Sequence, residues 1–202
     1  DDDHIISLLA KWVNTPNVLK KESQLFIRPH FTDVKSGRLE KFNKIKNVVV
    51  DDNITVSDFF GDHWDPGVEE TKKFTNLIYH CDMLITAVST LVLDAACFDK
   101  PLIYVSFSVL RDQKSGADLS HLIYEQDHIA WVLETGAVDL VHSEDETRES
   151  INAYLLDPGR KRAERKKLLE KLCYKVDGKS SERIANILIK IADSNADQMR
   201  RS

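Results

Sequence analysis

Apolar residues recur at helical spacing at Ile5, Ile6, Leu8, Leu9, Trp12 and Val13, with the acidic Asp1-Asp2-Asp3 just ahead of them. Carboxylates there cap free N–H groups and oppose the helix dipole, so this stretch reads as an amphipathic helix ending near Asn14. The period then changes. Leu25-Phe26-Ile27 and Val48-Val49-Val50 are short apolar runs bounded by polar turns, as strands covered on both faces read. A helix is expected between them over Ser36 to Phe42. Glu69 to His80 sets Phe74, Leu77 and Ile78 against Glu69, Glu70, Lys72 and Lys73, the pattern of a surface helix. Met83-Leu84-Ile85 is the next strand. Leu91 to Phe98 is helical and is stopped at Asp99-Lys100-Pro101, because proline cannot continue a helix. Leu102 to Val105 is a strand, and Ser106 to about Ser120 a polar loop. His128 to Glu134 is helical, Ala137 to Val141 a strand and Glu144 to Leu156 a helix. Two further helices cover Gly159 to Lys171 and Ser180 to Ala192, with a break at Asp177-Gly178.

Strands alternating with helices imply right-handed βαβ units, hence an α/β fold: a Rossmann-like, doubly wound parallel sheet of about five strands flanked by helices, with a C-terminal helical extension. One domain over residues 1–202 is the expectation. The order opens on a helix, whereas such a sheet normally opens on its central strand. Two explanations stand: a fragment of a longer enzyme, or an extra helix ahead of the sheet.

Composition narrows the function classes. Hydrophobic residues at 42% and charged residues at 30% describe an ordinary globular protein. A net charge of -5 argues against a nucleic-acid coat. Cys81, Cys97 and Cys173 form no C-x-x-C pair, which fits a reducing, cytoplasmic setting. No apolar run approaches the roughly 20 residues of a membrane-spanning helix. The run from Arg160 to Lys167 is strongly basic; it reads as a solvated helix face, or as a peripheral contact with anionic lipid at the inner face of the membrane.

Most of the chemical information lies between Cys81 and Tyr104. There a strand delivers the hydroxyl-rich Val88-Ser89-Thr90 onto a helix N-terminus, where free N–H groups and the dipole favour an anion. Ser89 and Thr90 add donors for a phosphate; the plain alternative is that Ser89 only caps the helix. Ser89-Thr90, Asp94 and Lys100-Pro101-Leu102-Ile103 resemble the corresponding segment of GT-B glycosyltransferases and their relatives, including glycerophosphotransferases and capsule-building transferases. In those families a strand ends in Ser or Ser-Ser, an acidic residue follows within about a turn, and a "gKPvI" segment leads into the next strand. Phe26-Ile27-Arg28-Pro29-His30-Phe31 is similar to their "K/R-x-HP" strand end, although here proline precedes the histidine. Val176-Asp177-Gly178-Lys179-Ser180-Ser181-Glu182-Arg183-Ile184-Ala185 is similar to their "DGkAseRia" element.

The resemblance spans roughly residues 24 to 192. It implies a donor-binding half for a nucleotide-activated sugar or glycerol, partnered by an N-terminal acceptor-binding domain in a longer chain. It also implies no cofactor and no obligatory metal, because cations and a helix dipole take that part. The base that accepts the acceptor's proton often comes from the other domain, so no catalytic residue is assigned. The donor-binding set is Arg28, His30, Ser89, Thr90, Asp94 and His128. Several have a plainer reading: Arg28 as a surface ion-pair partner, Asp94 as a local cap or pair, and His128 and its neighbour His121 as ordinary loop residues. Ser108, Arg111, Lys114, Ser115 and Gly116 form a cationic loop that either closes over a phosphate or is simply mobile and solvated. Gly61-Asp62-His63-Trp64-Asp65-Pro66-Gly67 lacks the second ligand cluster of a zinc site and reads as a turn-rich loop, with Trp64 a stacking surface for a sugar. The leading function is therefore a glycosyl- or glycerophosphoryl-type transferase domain. A nucleotide-sugar 2-epimerase of the same fold and a non-catalytic nucleotide or phosphate-binding module are the alternatives.

Overall fold

A computed structural model describes residues 3–30, 33, 36–51, 67–110, 112 and 114–201, with side chains through residue 194. The expected Gly61 to Pro66 loop and Arg111 lie outside these. Helix α1 (Asp3–Trp12) precedes β1 (Leu25–Ile27) and β2 (Val48–Val50). Then follow α2 (Val68–His80), β3 (Leu84–Thr86), α3 (Leu91–Cys97), β4 (Leu102–Val105), α4 (Asp127–Leu133), β5 (Val138–Val141), α5 (Glu144–Leu156), α6 (Arg162–Leu172) and α7 (Ser180–Arg201). The fold is a Rossmann-like α/β arrangement in which every strand pairing is parallel. β1 pairs with β2, and β3, β4 and β5 form a second ladder in that order.

Side chains alternate across a strand, and β4 shows the result. Leu102 and Tyr104 enter one cluster with Val92, Ala95 and Ala96 of α3, Ile129 and Val132 of α4, and Leu168 of α6. Ile103 and Val105 enter the opposite cluster with Ile5, Leu9 and Trp12 of α1 and Ile151, Tyr154 and Leu155 of α5. Helix α1 also reaches the first ladder, where Ala10 packs with Ile27, Val48 and Val50. Leu25 packs against both neighbourhoods, and Met83 and Ile85 pack against the one built on β4, so the two ladders share a core.

Local chemistry sets the element ends. Ser143 accepts the N–H of Glu146 at 3.2 Å, and the Glu146 carboxylate accepts the N–H of His142 at 2.8 Å, a reciprocal cap that starts α5. The expected helix at Ser36 to Phe42 is broken: Ser36 is helical, residues 37–39 form a turn, and Glu40–Lys44 is a 3₁₀ turn. Gly37 is left-handed at φ 64° and interrupts the α-helical path before Leu39 and Phe42 can share a continuous face. Helix α6 starts at Arg162 rather than near Gly159, because Lys161 is left-handed at φ 59°. That bend carries the Lys161 ammonium back to the carbonyl of Val138 and to Asp139.

Part of the basic run is therefore tied to the body of the fold, although Arg160 and Arg162 stay exposed. Arg165, 1% exposed, donates to Asp99 at 2.8 Å and to the carbonyls of Arg160 and Pro158 at 2.6 and 3.1 Å. Arg162 takes the other Asp99 oxygen at 2.6 Å. Asp99 stands at φ 54°, a left-handed conformation usually left to glycine, at the place of the glycine in "gKPvI". The two arginines hold it there, just where the chain must turn from α3 into β4. Lys166 and Lys167 remain at the surface. No helix among the described residues is long and apolar enough to cross a membrane.

Two stability predictions follow from these pairs. Removing the buried Arg165 side chain opens a void and takes a donor from Asp99 and from the Arg160 and Pro158 carbonyls, so Arg165→Ala should cost about 3 kcal/mol by urea denaturation; a loss below about 1 kcal/mol would mean that water replaces the guanidinium without penalty. Burial disfavours the Asp139 charge, but Lys161, the Ser150 hydroxyl and Arg160 more than offset it and hold its pKa below the ordinary value. Its contribution is thus complete above the unfolded value of about 3.9 and is lost as pH falls through the folded value. The melting-temperature gap between the parent and Asp139→Asn should accordingly close on acidification. A gap that persisted unchanged down to about pH 2 would refute the assignment.

Candidate functional site

In parallel sheets function gathers where the strands end at their carboxyl side. β3 runs out into Ala87-Val88-Ser89-Thr90, and α3 begins at the next residue. Val88 packs into the cluster beneath, which anchors the turn. The Ser89 oxygen accepts the N–H of Leu91 at 3.2 Å, and the Ser89 carbonyl accepts the hydroxyl of Tyr104 at 2.7 Å. Ser89 therefore does close the first turn of the helix. Because it uses an oxygen lone pair to do so, its own hydroxyl hydrogen is left to donate elsewhere. Thr90 occupies the N-cap position with no side-chain bond back to the helix. Thr90 and Asp94, one turn apart, are both exposed on the outer face of α3. The protein mass around Asp94 raises its pKa, so its carboxylate is a better acceptor than an open-water one.

Tyr104 and Tyr124 lie beneath this turn with ring centroids 5.4 Å apart. Burial pushes the Tyr104 hydroxyl up to about 12, which keeps it protonated and donating to the Ser89 carbonyl at neutral pH. Tyr124 donates to the carbonyl of Val105 at 2.6 Å. It thereby ties the 3₁₀ turn Ser120–Tyr124, and with it the opening of α4, to the end of β4. His128 is exposed on the first turn of α4, and His121 is exposed on that 3₁₀ turn.

The loop after β4 is pinned rather than loose in its described part. The N–H of Ser108 donates to Asp118 at 2.7 Å, and the N–H groups of Val109 and Leu110 donate to the Ser120 hydroxyl at 3.0 and 3.1 Å. Asp112 accepts from Ser115. Buried Ser120 anchors the foot of the loop, while Lys114, Ser115 and Gly116 are exposed.

Arg28 leaves the end of β1 and donates to Asp51 at 2.6 Å, and also to Glu70. Lys73 donates to the other oxygen of Asp51 at 2.6 Å. The Arg28 guanidinium stands 5.2 Å from the Phe74 ring centroid. His30 is exposed two residues beyond Arg28, and its carbonyl accepts the N–H of Asp33 at 2.8 Å. The fold thus sets out two separate groups, with His128 in neither: Ser89 and Thr90 leading into α3 with Asp94 on it, and Arg28 and His30 past β1.

The sequence did not mark Asp51, Glu70, Lys73 or Tyr104. Asp51 carried a usable signal, a charge directly after a buried strand, in the same position relative to β2 as Arg28 has to β1. Glu70 had the opposite one. It lies on the polar side of its helix by periodicity, yet it is 4% exposed, because Arg28 reaches across to it.

The described elements from β1 onward, and with them this whole set, fall within or run on from residues 13–190, which match the sequence model of the CDP-glycerol:poly(glycerophosphate) glycerophosphotransferases. The chain belongs to that family. No curated protein and no solved structure matches it. Membership makes the chain part of a transferase family that works on nucleotide-linked donors, and it gives the hydroxyl-bearing strand end a setting in which an anion site is wanted.

Tyr104→Phe should weaken this glycerophosphotransferase-family domain by about 1 kcal/mol, since it leaves the Ser89 carbonyl without its donor. Urea denaturation with an unchanged slope would register it. Parent-like stability would show that the hydroxyl does not hold the turn.

Proposed function

We propose that this chain binds the activated donor of a glycerophosphotransferase, with CDP-glycerol as donor and a poly(glycerophosphate) chain as acceptor. The family match over residues 13–190 carries this reading. The hydroxyl turn that Tyr104 and Val88 hold in place supports it. In this reading the fold is the donor half of a GT-B enzyme, and an acceptor domain lies elsewhere in a longer chain. A nucleotide-sugar donor would use the same phosphate contacts; the family's own description favours glycerol.

The chemistry is displacement at phosphorus. An acceptor hydroxyl attacks the β-phosphorus of the donor, a new P–O bond forms, and the bond to the bridging oxygen breaks. CMP leaves with the electron pair, and the acceptor's proton passes to a base on the acceptor domain. Charge grows on the bridging oxygen as the bond breaks, so preorganised donors near it lower the barrier. Ser89, Thr90 and the N-terminal N–H groups of α3 meet the diphosphate. Arg28 spans its non-bridging oxygens with a planar fork. His30 and His128 donate from imidazole N–H groups, and Asp94 accepts from a hydroxyl of the ribose or of glycerol.

Calorimetric titration with CDP-glycerol, CMP, UDP and GDP tests this directly. The cytidine ligands should bind, and Ser89→Ala should weaken CDP-glycerol by about tenfold, the worth of one hydrogen bond to a charged group. If no nucleotide bound, and Ser89→Ala left transfer by the full-length enzyme unchanged, the reading would be lost.

A further inference from the structure

The ion cluster around Arg28 is built more carefully than an adventitious surface pair. The register sets Ile27 opposite Val50, and the N–H of Asp51 donates to the Ile27 carbonyl at 2.8 Å, so Arg28 and Asp51 leave their strands side by side. Glu70, Lys73 and Phe74 approach from one face of α2 at helical spacing. The carboxylates are sealed, with side chains 4% exposed, whereas Arg28 and Lys73 remain 17% and 37% exposed. Among the described residues the cluster pairs two carboxylates with two cations, and the cations are its more exposed members.

Stability alone gives little reason for such an arrangement. Desolvating two carboxylates is costly, and an apolar filling often holds elements together as well or better. What the carboxylates do supply is direction. Asp51 takes Nη1, Glu70 takes Nη2, and the Phe74 ring covers one face of the guanidinium. Only two of its five N–H groups are committed to these carboxylates. The rest are held in a fixed plane at the carboxyl end of β1, on the stretch of chain that continues to His30.

We infer that Asp51 and Glu70 are positioning residues that orient Arg28 toward the phosphates of the donor, and that Lys73 secures Asp51 in turn. This rests on the donor-binding reading above. Lysine could supply the charge in place of Arg28 but not the planar fork, so orientation is the property to test.

The full-length enzyme is assayed for transfer from CDP-glycerol, with and without guanidinium ion below denaturing concentration. Arg28→Ala should lower kcat/KM by about 100-fold, and added guanidinium should recover about tenfold of it, because the carboxylate cage still binds and aligns the ion. In Arg28→Ala/Glu70→Gln and Arg28→Ala/Asp51→Asn the recovery should fall below about twofold. Equal recovery with and without the carboxylates, or a fully active Arg28→Ala, overturns the inference. Should Arg28→Ala fail to fold, Arg28→Lys replaces it: a loss of about tenfold or more in kcat/KM supports orientation, and parent-like kcat/KM refutes it. If the parent enzyme itself transfers nothing from CDP-glycerol, the donor reading fails first. If the parent transfers and depends on Ser89 while the Arg28 series shows no rescue difference, only this inference fails.

Discussion

β4 is covered on both faces, and the consequences run through the whole molecule. Leu102, Ile103, Tyr104 and Val105 are each at most 1% exposed, so neither face can tolerate a change of register or a shift of its neighbours. One face fixes α3, α4 and α6, and the other fixes α1 and α5. The strand also carries the hydroxyl that holds the Ser89 carbonyl and ends on the carbonyl that receives Tyr124. The precision of the candidate site is thus inherited from the core. A hydroxyl turn on an exposed loop could cap a helix equally well, but it would not be held at a constant height above a sheet.

Charged residues perform the second kind of organisation, where apolar packing alone cannot turn the chain. Asp99 adopts a glycine-like conformation between α3 and β4 and is held by Arg162 and Arg165. Asp139 in β5 draws back Lys161 ahead of α6. Both clasps use the basic run, so its positive charge says more about how α6 docks than about an outside partner. At the end of β1 the carboxylates are again the more buried partners, as at Asp139, and it is Arg165 alone that reverses the order.

The strands were legible because short apolar runs bounded by polar turns stand out at their length, but only Leu102 to Val105 is covered on both faces as such a run suggests; Phe26 and Val49 are 44% and 45% exposed, so β1 and β2 bury one face each. The Ser89-Thr90 turn was legible for a related reason: a buried strand that meets a helix must expose its connecting residues at the carboxyl edge. What could not be read were pairings distant along the chain. Glu70 obeys the periodicity of a solvent-facing residue, and its bond with Arg28, 42 positions earlier, takes it out of solvent. Tyr104 reads as one more apolar residue of a strand until Ser89 is seen above it. Gly37 stopped a helix that the surrounding apolar residues would have continued, because its left-handed φ takes precedence over their spacing. The six proposed donor contacts divide in the same way. Those tied to a strand end stand at defined places in the fold, and the role of each toward a ligand is a matter of chemistry outside the chain.

Helix α7 stands apart from this economy of shared cores. Ile184, Ile187, Leu188, Ile189 and Ile191 are each more than half exposed, so little buried apolar area anchors the segment. Helices in water owe most of their stability to tertiary packing, and local opening free energies range from near zero up to that of global unfolding. The amides of α7 should consequently exchange with solvent through cheap local openings, while those of β4 exchange only when the whole domain comes apart. The chain has a rigid floor beneath its candidate site and, in its last helix, a segment whose conformation can be reset without cost to that floor.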